Sequence, residues 1–312
     1  MTRFKTPVLF IVFNDIESTK RVFEVIRAKR PEHFFVFSDG PREDKVGEGE
    51  ICREVREYVV RSVDWECDFH KKFNDKNIGL PDAVIDGISW FFEQNERGIV
   101  LEHDCLPDPS FFQFAEEILE KYKNDERIMH VGGNFLQPSP VGGASYYFSR
   151  IPLIWGWATW RRAWLKYDSE MKTYPNFLKE QKLSRVYRSD WYKTEWEYLF
   201  NMVYYKISKT WDAQWAYALI ENNGFSITPN KNLVTNIGFR EGAVHSRNLN
   251  DPLSKLPIES MSFPMIHPSR MEVDVRVDEY VSQHFFYFTW YKYVFMKLGL
   301  FRIAHKIYRI FR

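Results

Sequence analysis

Apolar and polar residues alternate along the first half of the chain in a pattern that predicts strands and helices in turn. Short apolar runs, typical of buried strands, occupy residues 8–13, 34–37, 63–69 and 99–101. Helical spacing predicts helices at residues 51–61, 82–93 and 109–122, and an earlier helix capped by Ser18 or Thr19, while Asp108 and Pro109 suit the start of the last one. Strands that alternate with helices of this length indicate an α/β protein with a mostly parallel, doubly wound sheet.

The second half of the chain is less regular. Short strands are expected at residues 128–131, 145–148, 225–228 and 233–235. Amphipathic helices are expected at residues 191–208 and 212–223, and Gly224 suits the end of the second. Residues 155–164 are rich in Trp and Gly, and residues 245–270 contain several prolines typical of a loop.

The composition indicates a globular protein without a strong charge bias. Apolar residues make up 45% and charged residues 27% of the 312 residues, and the formal net charge of +1 argues against binding of nucleic acid. Aromatic residues reach 18%, with 11 Trp, which weakly favours carbohydrate binding because sugars pack on Trp faces. The cysteines, Cys52, Cys67 and Cys105, have no spacing suited to zinc or to a redox pair, so we expect a reducing, cytoplasmic setting.

The end of the chain differs in composition from the rest. No acid occurs from residue 285 onward, and Arg302, Lys306, Arg309 and Arg312 recur every three or four residues among apolar positions. This pattern predicts a basic amphipathic helix, which either docks on the protein or contacts the anionic inner face of the plasma membrane. We expect no signal peptide and no membrane span, and we divide the chain into residues 1–245 and a loop with a helical tail, residues 246–312.

Two carboxylates follow the fourth predicted strand directly, and a proline-containing break at residues 105–109 comes next. Side chains two residues apart in a strand point to the same side, so we expect Glu102 and Asp104 to converge. They would do so at the carboxyl edge of the sheet, where open α/β sheets bind ligands. Paired carboxylates suit a hard divalent cation, Mg²⁺ or Mn²⁺, which commonly bridges phosphate oxygens. The alternative is that the two acids only cap the next turn.

A third acid, Asp39, ends the second predicted strand and is expected near the same edge of the sheet. A carboxylate at that place can accept a hydrogen bond from the N–H of a base or from a ribose hydroxyl. The alternative is that Asp39 is a turn residue, because it begins an Asp-Gly-Pro sequence.

These segments resemble a known family. Residues 37–42 (FSDGPR), 77–80 (NIGL) and 99–112 (IVLEHDCLPDPSFF) are similar to nucleotide-diphospho-sugar transferases of the GT-A fold, especially the N-acetylglucosaminyltransferase I group and bacterial family 2-like glycosyltransferases. That group carries Glu-Asp-Asp in an apolar strand, followed by a proline-containing loop and a Phe-rich helix. Weaker similarities follow at residues 156–160 (GWATW), 211–215 (WDAQW), 236–239 (NIGF) and 243–246 (AVHS), so that the resemblance covers residues 7–245.

The resemblance implies a GT-A-like fold with a C-terminal helical appendage, and an inverting sugar transfer that depends on Mn²⁺ or Mg²⁺. The donor is a nucleotide-diphosphate sugar, the acceptor is a saccharide or a lipid-linked molecule, and the setting is bacterial surface polysaccharide synthesis. The family's metal ligand corresponds to Asp104, and a His that completes the metal site corresponds to His245. Glu102 and His103 occupy the first two positions of the acid motif, and the middle one contacts the ribose or a metal-bound water.

An inverting transfer also needs a base that accepts the proton of the acceptor hydroxyl. Our candidate is Asp212, whose alternative role is to cap the helix that follows it. Trp157 and Trp160, together with Trp155, are candidates for a platform under the acceptor sugar; the alternative is that these rings belong to the core.

Three other functions remain open from the sequence. One is a nucleotidyltransferase on a similar sheet, and another is a non-catalytic nucleotide-sugar-binding protein in which His103 marks loss of the acid motif. The third is a membrane-surface binding protein that acts through the basic tail. The sequence has no phosphate-binding G-x-x-x-x-G-K-[ST] loop, no G-x-G-x-x-G and no G-x-S-x-G, which argues against the enzyme classes that use them.

Overall fold

The computed structural model describes residues 3–239, 253, 256–286 and 288–301. The strands are β1 (Val8–Val12), β2 (His33–Ser38), β3 (Asp68–Phe73), β4 (Arg97–Glu102), β5 (Cys105–Pro107), β6 (Ile128–Gly132), β7 (Tyr146–Ser149), β8 (Trp157–Trp160), β9 (Phe225–Pro229) and β10 (Val234–Asn236). The helices are α1 (Ile16–Lys29), α2 (Glu48–Ser62), α3 (Leu80–Gln94), α4 (Pro109–Lys121), α5 (Arg161–Trp164), α6 (Tyr174–Lys179), α7 (Leu183–Val186), α8 (Asp190–Tyr204), α9 (Asp212–Glu221), α10 (Val275–Phe285) and α11 (Trp290–Lys297).

The central sheet has eight strands in the order β3-β2-β1-β4-β8-β6-β9-β7. Strands β3, β2, β1 and β4 are parallel, β8 is antiparallel to both of its neighbours, and β6 and β9 are parallel to each other. Only β7 and β8 run against the common direction. A second sheet has two strands, β5 and β10, and β5 directly follows β4 in the chain.

Helices cover both faces of this sheet, which makes it doubly wound. Val8, Phe10 and Val12 of β1 pack with α1, α2 and α4 on one face. The alternating residues Leu9 and Ile11 pack with α3, α5 and α9 on the other. The structure therefore confirms the expected fold class: α/β with a mostly parallel, doubly wound sheet and a helical C-terminal part, consistent with a GT-A-like fold.

The C-terminal part packs on the sheet domain. Met261 and Met265 join the first core layer, and Val281 of α10 joins a third apolar cluster with α6, α8 and α9. On α11, Tyr293 stacks on Trp191 with ring centroids 5.1 Å apart. None of the described helices combines the length and the apolar character that a bilayer crossing requires. The division at residue 245 and the basic residues 302–312 lie outside the described residues.

Several predicted boundaries are wrong, each for a local reason. Helix α1 begins at Ile16 because Asp15, not Ser18 or Thr19, is its N-cap, and the Asp15 carboxylate accepts from the Ser18 N–H at 3.0 Å. Strand β3 lies at Asp68–Phe73 rather than residues 63–69, because α2 continues to Ser62 and a connecting segment follows. The prediction of Asp108 as the N-cap of α4 is confirmed, and its carboxylate accepts from the Ser110 N–H at 2.8 Å.

A buried histidine links the sheet to α9. His130 of β6 is fully buried, and its Nδ1 accepts from the Trp215 indole N–H at 3.1 Å. Because an indole can only donate, the proton sits on Nε2, which donates to the Leu153 carbonyl at 3.0 Å. Burial lowers the pKa of His130 to about 3.

This histidine should make the fold sensitive to acid. The unfolded chain takes up a proton near pH 6.5 while folded His130 stays neutral, so stability is full above that pH and is lost as pH falls toward 3. Between pH 6.5 and 5 the unfolding free energy of the wild type should fall by about 1.5 kcal/mol on account of His130, and His130→Gln should abolish this part of the fall. Urea unfolding at both pH values measures this. The exposed His284, changed to Gln, is the control; an equal pH dependence in wild type and His130→Gln would contradict the assignment.

Candidate active site

Strand β4 ends at Glu102, and residues 103 and 104 form a turn that leads into β5. Glu102 is therefore a strand residue and Asp104 a turn residue. The prediction that both acids lie on one face of a single strand is wrong. Both side chains are half-buried at the carboxyl end of β4, beside the carboxyl end of its parallel neighbour β1. Asp104 is neither turned into the apolar interior nor fully exposed.

A third carboxylate, that of Asp212, is close enough to Glu102 to affect its pKa. The pKa of Glu102 is raised to about 8, first by burial and then by the negative charges of Asp104 and Asp212. Among the described residues, no Lys, Arg or His forms an ion pair with any of these three carboxylates. We call Glu102, Asp104 and Asp212 the acid cluster. No described basic side chain relieves their mutual repulsion, so at neutral pH the Glu102 carboxyl holds a proton unless a cation takes its place.

The small sheet of β5 and β10 fixes the position of Asp104. The Asn236 amide donates to Asp104 Oδ2 at 3.2 Å, and the Ile237 N–H donates to the Asp104 carbonyl at 2.7 Å. A Cβ at Gly238 would lie only 2.6 Å from Asp104 Oδ2, so this backbone approaches the carboxylate more closely than any other residue type permits. Asn236 and Gly238 belong to residues 236–239, which carry part of the family resemblance, but no pattern in the sequence predicts their contact with Asp104.

The two carboxylate oxygens of Asp212 differ in their hydrogen bonds. Asp212 is the first residue of α9, and Trp211 is the N-cap, so the capping alternative is wrong in its strict form. Nevertheless Oδ1 accepts from the Ala213 N–H at 2.9 Å and from the Thr210 hydroxyl. Oδ2 accepts no hydrogen bond from a described residue. One oxygen therefore orients the side chain, and the other is available for a ligand.

The Asp39 carboxylate accepts hydrogen bonds from groups of the protein itself. The side chain is 6% exposed and accepts from the Asn74 amide at 3.1 Å and the Asn77 amide at 2.9 Å. The backbone N–H groups of Ile78 and Gly79 also donate to it, at 3.1 and 3.3 Å. The predicted contact with a base or ribose is therefore not supported, since the carboxylate already holds the loop of residues 74–79.

The two histidines of the predicted site have different outcomes. His103 is half-buried in the turn after β4, where its backbone N–H donates to the Ile11 carbonyl at 2.9 Å. His245 lies outside the described residues. Within the described ranges, no group of three or more His, Cys, Asp or Glu side chains is arranged to hold a metal ion. The candidate metal ligands that the structure describes are thus a pair of carboxylates, Glu102 and Asp104.

Trp157 and Trp160 belong to the core, so the predicted sugar platform is not supported for them. They are 1% and 3% exposed because β8 is an inner strand with helices on both faces. The alternation of strand side chains sends Trp157 toward α9 and Trp160 toward α4. Trp155, just before β8, is half-buried and packs edge-to-face on Phe239 with ring centroids 5.6 Å apart.

A cavity of about 440 Å³ borders Asp212 and Trp155. Its wall is mostly apolar and includes Leu136, Ile151, Leu153, Trp196 and Phe286. This cavity was not predictable from the sequence, because its lining comes from segments that lie far apart in the chain. Asp212 therefore borders a space of the size of a small-molecule site.

Comparisons with known proteins yield distant structural likenesses only. No family model matches the chain, and no curated protein matches it. Similar solved structures include a mannosyltransferase from Pyrobaculum calidifontis in complex with GDP-Man and Mn²⁺, at 14% identity and a TM-score of 0.41, which covers 77% of this chain and 59% of that one. Others are a UDP-glucose pyrophosphorylase complexed with UDP-glucose (10% identity, TM-score 0.37, 72% of this chain and 90% of that one) and the inositol-1-phosphate CTP transferase from T. maritima (10%, 0.32, 54% and 76%). Likenesses this distant assign no activity to the chain.

The Asp39 contacts generate a prediction about the loop of residues 74–79. Asp39→Asn places an amide donor against donors and leaves buried N–H groups without an acceptor, so the unfolding free energy should fall by about 1–3 kcal/mol. Denaturant unfolding measures the loss, and hydrogen exchange should localise it to the Ile78 and Gly79 amides. Asp75→Asn, an exposed change in the same loop, is the matched control and should have almost no effect. Unchanged stability in Asp39→Asn would show that the loop is held by other contacts.

Proposed function

We propose that the protein is a metal-dependent glycosyltransferase that moves a sugar from a nucleotide-diphosphate sugar to a hydroxyl-bearing acceptor. The observation that carries this proposal is the acid cluster: three carboxylates without a basic partner, at the carboxyl edge of a mostly parallel sheet. Ligands of open α/β sheets bind at that edge. The resemblance of residues 99–112 to nucleotide-diphospho-sugar transferases supports the same reading.

The residues present fit a hard divalent cation. Mg²⁺ and Mn²⁺ prefer carboxylate oxygens, and Mg²⁺ is usually held by one or two carboxylates together with substrate phosphates and water. Asp104 and Glu102 would supply those carboxylates, and the diphosphate of the donor would complete the coordination. Burial, and then the negative charges of Asp104 and Asp212, raise the pKa of Glu102, and a positive charge at this place would favour its ionised form. When bound, such a cation stabilises the negative charge that develops on the leaving diphosphate.

In this proposal Asp212 acts on the acceptor. In the proposed transfer, the bond between the sugar carbon and the β-phosphate oxygen breaks and its electron pair stays on the diphosphate. The acceptor oxygen forms the new bond to that carbon, and its proton passes to Asp212 Oδ2. Oδ1 meanwhile keeps its bond to the Ala213 N–H, so the carboxylate does not have to rotate to receive the proton.

The proposal also includes a cellular setting and partners, which rest on the resemblance, the cysteines and the basic tail of the sequence. They comprise synthesis of a bacterial surface polysaccharide at the cytoplasmic face of the plasma membrane. A peripheral contact of the basic tail with anionic lipid belongs here as well.

Replacement of Asp104 tests the cation. Asp104→Asn should weaken binding of Mn²⁺ and of a nucleotide-diphosphate sugar in the presence of Mn²⁺ by tenfold or more, because a neutral amide is a poorer ligand for a hard cation. Isothermal titration against GDP- and UDP-sugars, with and without Mn²⁺, measures this. The exposed Glu43, changed to Gln, should bind like wild type.

The same titrations separate the rival functions. Pyrophosphate release from a nucleoside triphosphate, without sugar transfer, would identify a nucleotidyltransferase. Donor binding without transfer to any acceptor would identify a binding protein. A flat response to every donor, with and without Mn²⁺, would reject the proposed function.

Replacement of Asp212 tests the base. Asp212→Asn keeps an oxygen for the Ala213 N–H but cannot take a proton, so kcat should fall by about 10²–10⁴ while donor affinity stays within a factor of about two. Single-turnover transfer and donor titration measure the two quantities separately. The control is Asp190→Asn, because Asp190 starts the neighbouring helix α8 and pairs with Lys297 at 2.5 Å, away from the acid cluster. Equal kcat in wild type and Asp212→Asn would assign the proton to another group.

A further inference from the structure

We propose that the 440 Å³ cavity beside Asp212 binds the apolar group of an amphiphilic acceptor, and that Glu195 hydrogen-bonds to a hydroxyl of the same molecule. The acceptor class is then a hydroxyl compound that carries an alkyl or aryl group, rather than a free saccharide. This inference rests on the glycosyltransferase function proposed above and names the class of its second substrate.

The wall of the cavity selects for an apolar ligand. The β7–β8 segment contributes Ile151, Leu153 and Trp155, while Phe286 and Phe288 come from the segment between α10 and α11. A saccharide offers hydroxyl groups in every direction, and these would lose their water against such a wall without gaining partners. An alkyl or aryl group has no hydrogen bonds to water to lose, and its burial is favourable.

Glu195 is a buried acid of this wall, 4% exposed, whose two oxygens have no hydrogen-bond partner among the described residues, although the Lys292 charge acts on it. The Trp196 indole N–H, in the same wall, also lacks an acceptor among those residues. Asn134, which also lines the cavity, is different: its amide donates to the Val234 carbonyl and its oxygen accepts from the Trp155 N–H. A buried polar group without a partner is costly, so Glu195 is best explained by a ligand that supplies one.

The chemistry of Glu195 suits a hydroxyl. Burial raises the pKa of Glu195 to about 8, so at neutral pH the carboxyl carries its proton and can both donate and accept. A hydroxyl group matches both functions at once. A carboxylate or phosphate on the ligand would match only the donor.

Apolar surface continues along the same segment outside the cavity. Phe288 and Lys292 line the cavity, and between them in the chain Trp290 and Tyr291 are 71% and 65% exposed. Exposed aromatic side chains next to an apolar cavity give a longer alkyl chain a surface to follow. The arrangement therefore accommodates acceptors whose apolar part is larger than the cavity.

The test uses two probes that differ only in their apolar group: hexyl β-D-glucoside, below its micellar concentration, and methyl β-D-glucoside. Calorimetric titration of the full chain, without nucleotide sugar, measures binding apart from activity. We expect the hexyl compound to bind at least about tenfold tighter than the methyl compound, because its longer chain is buried.

Matched variants locate the binding. Leu199→Trp fills the cavity and should weaken hexyl glucoside binding tenfold or more, while Leu178→Trp, an equally half-buried Leu of the helical part outside the cavity, should not. Ile154→Trp fills the same cavity from another wall and replaces Leu199→Trp if that variant does not fold. Equal effects of the cavity variant and its control, or no preference for the hexyl compound, overturn the proposal.

The role of Glu195 in ligand binding is tested by a measurement that a purely structural residue would not change. Glu195→Leu should lose affinity for hexyl glucoside about tenfold without a loss of thermal stability, because the replaced carboxyl makes no hydrogen bond to any described residue. Glu195→Gln, which keeps a donor and an acceptor, should retain most of the affinity. Loss of stability in Glu195→Leu together with unchanged affinity would show that Glu195 is structural and overturn its assigned role.

The outcomes separate this inference from the function on which it rests. Cavity-dependent binding of hexyl glucoside without any nucleotide-sugar binding would reject the transferase and the acceptor role, and leave an amphiphile site. Mn²⁺-dependent donor binding together with cavity-independent glucoside binding would keep the transferase and reject the cavity as its acceptor site.

Discussion

Repulsion among three carboxylates at the end of β4 is the constraint on which the rest of the site depends. Glu102, Asp104 and Asp212 come from a strand, a turn and a helix, and the fold holds them within electrostatic reach of one another. Water screens such charges poorly once they are half-buried. Since no described basic side chain lies among them, Glu102 holds a proton at neutral pH unless a cation replaces it. Carboxyl groups with pKa values shifted in this way occur often at functional sites.

The sheet topology explains how these residues meet. Strand β4 lies in the middle of the sheet, between β1 and β8, so its carboxyl end is surrounded by other elements on both sides. The chain then turns at residues 103 and 104 and pairs β5 with β10, which brings Asn236 and Gly238 against Asp104. Helix α9 packs on one face of the sheet through Trp215, and its first residue, Asp212, reaches the same region. The donor side and the cavity side of the proposed site therefore meet at the start of α9.

Local patterns in the sequence predicted much of this fold and only part of the site. The Asp108-Pro109 start of α4 was predictable because capping depends on neighbouring residues. The start of α1 was misplaced because Ser18 and Thr19 are also good caps and the sequence does not say which acceptor the helix uses. Strand β8 was missed, and the burial of Trp157 and Trp160 follows from its inner position in the sheet, which no local pattern reveals. Asp39 looked equally suited to a turn and to a ligand, and its partners at residues 74–79 are contacts between distant parts of the chain.

The Asp39 contacts have a consequence for how a ligand would be received. One carboxylate gathers donors from a loop that follows it by more than thirty residues, and a Cβ at the adjacent Gly40 would lie 2.3 Å from the Lys76 backbone. Contacts within the protein thus hold the loop before α3 against the end of β2, and no ligand is needed for this. A molecule arriving at this edge of the sheet meets walls that are already ordered, and the conformational entropy lost on association is correspondingly small.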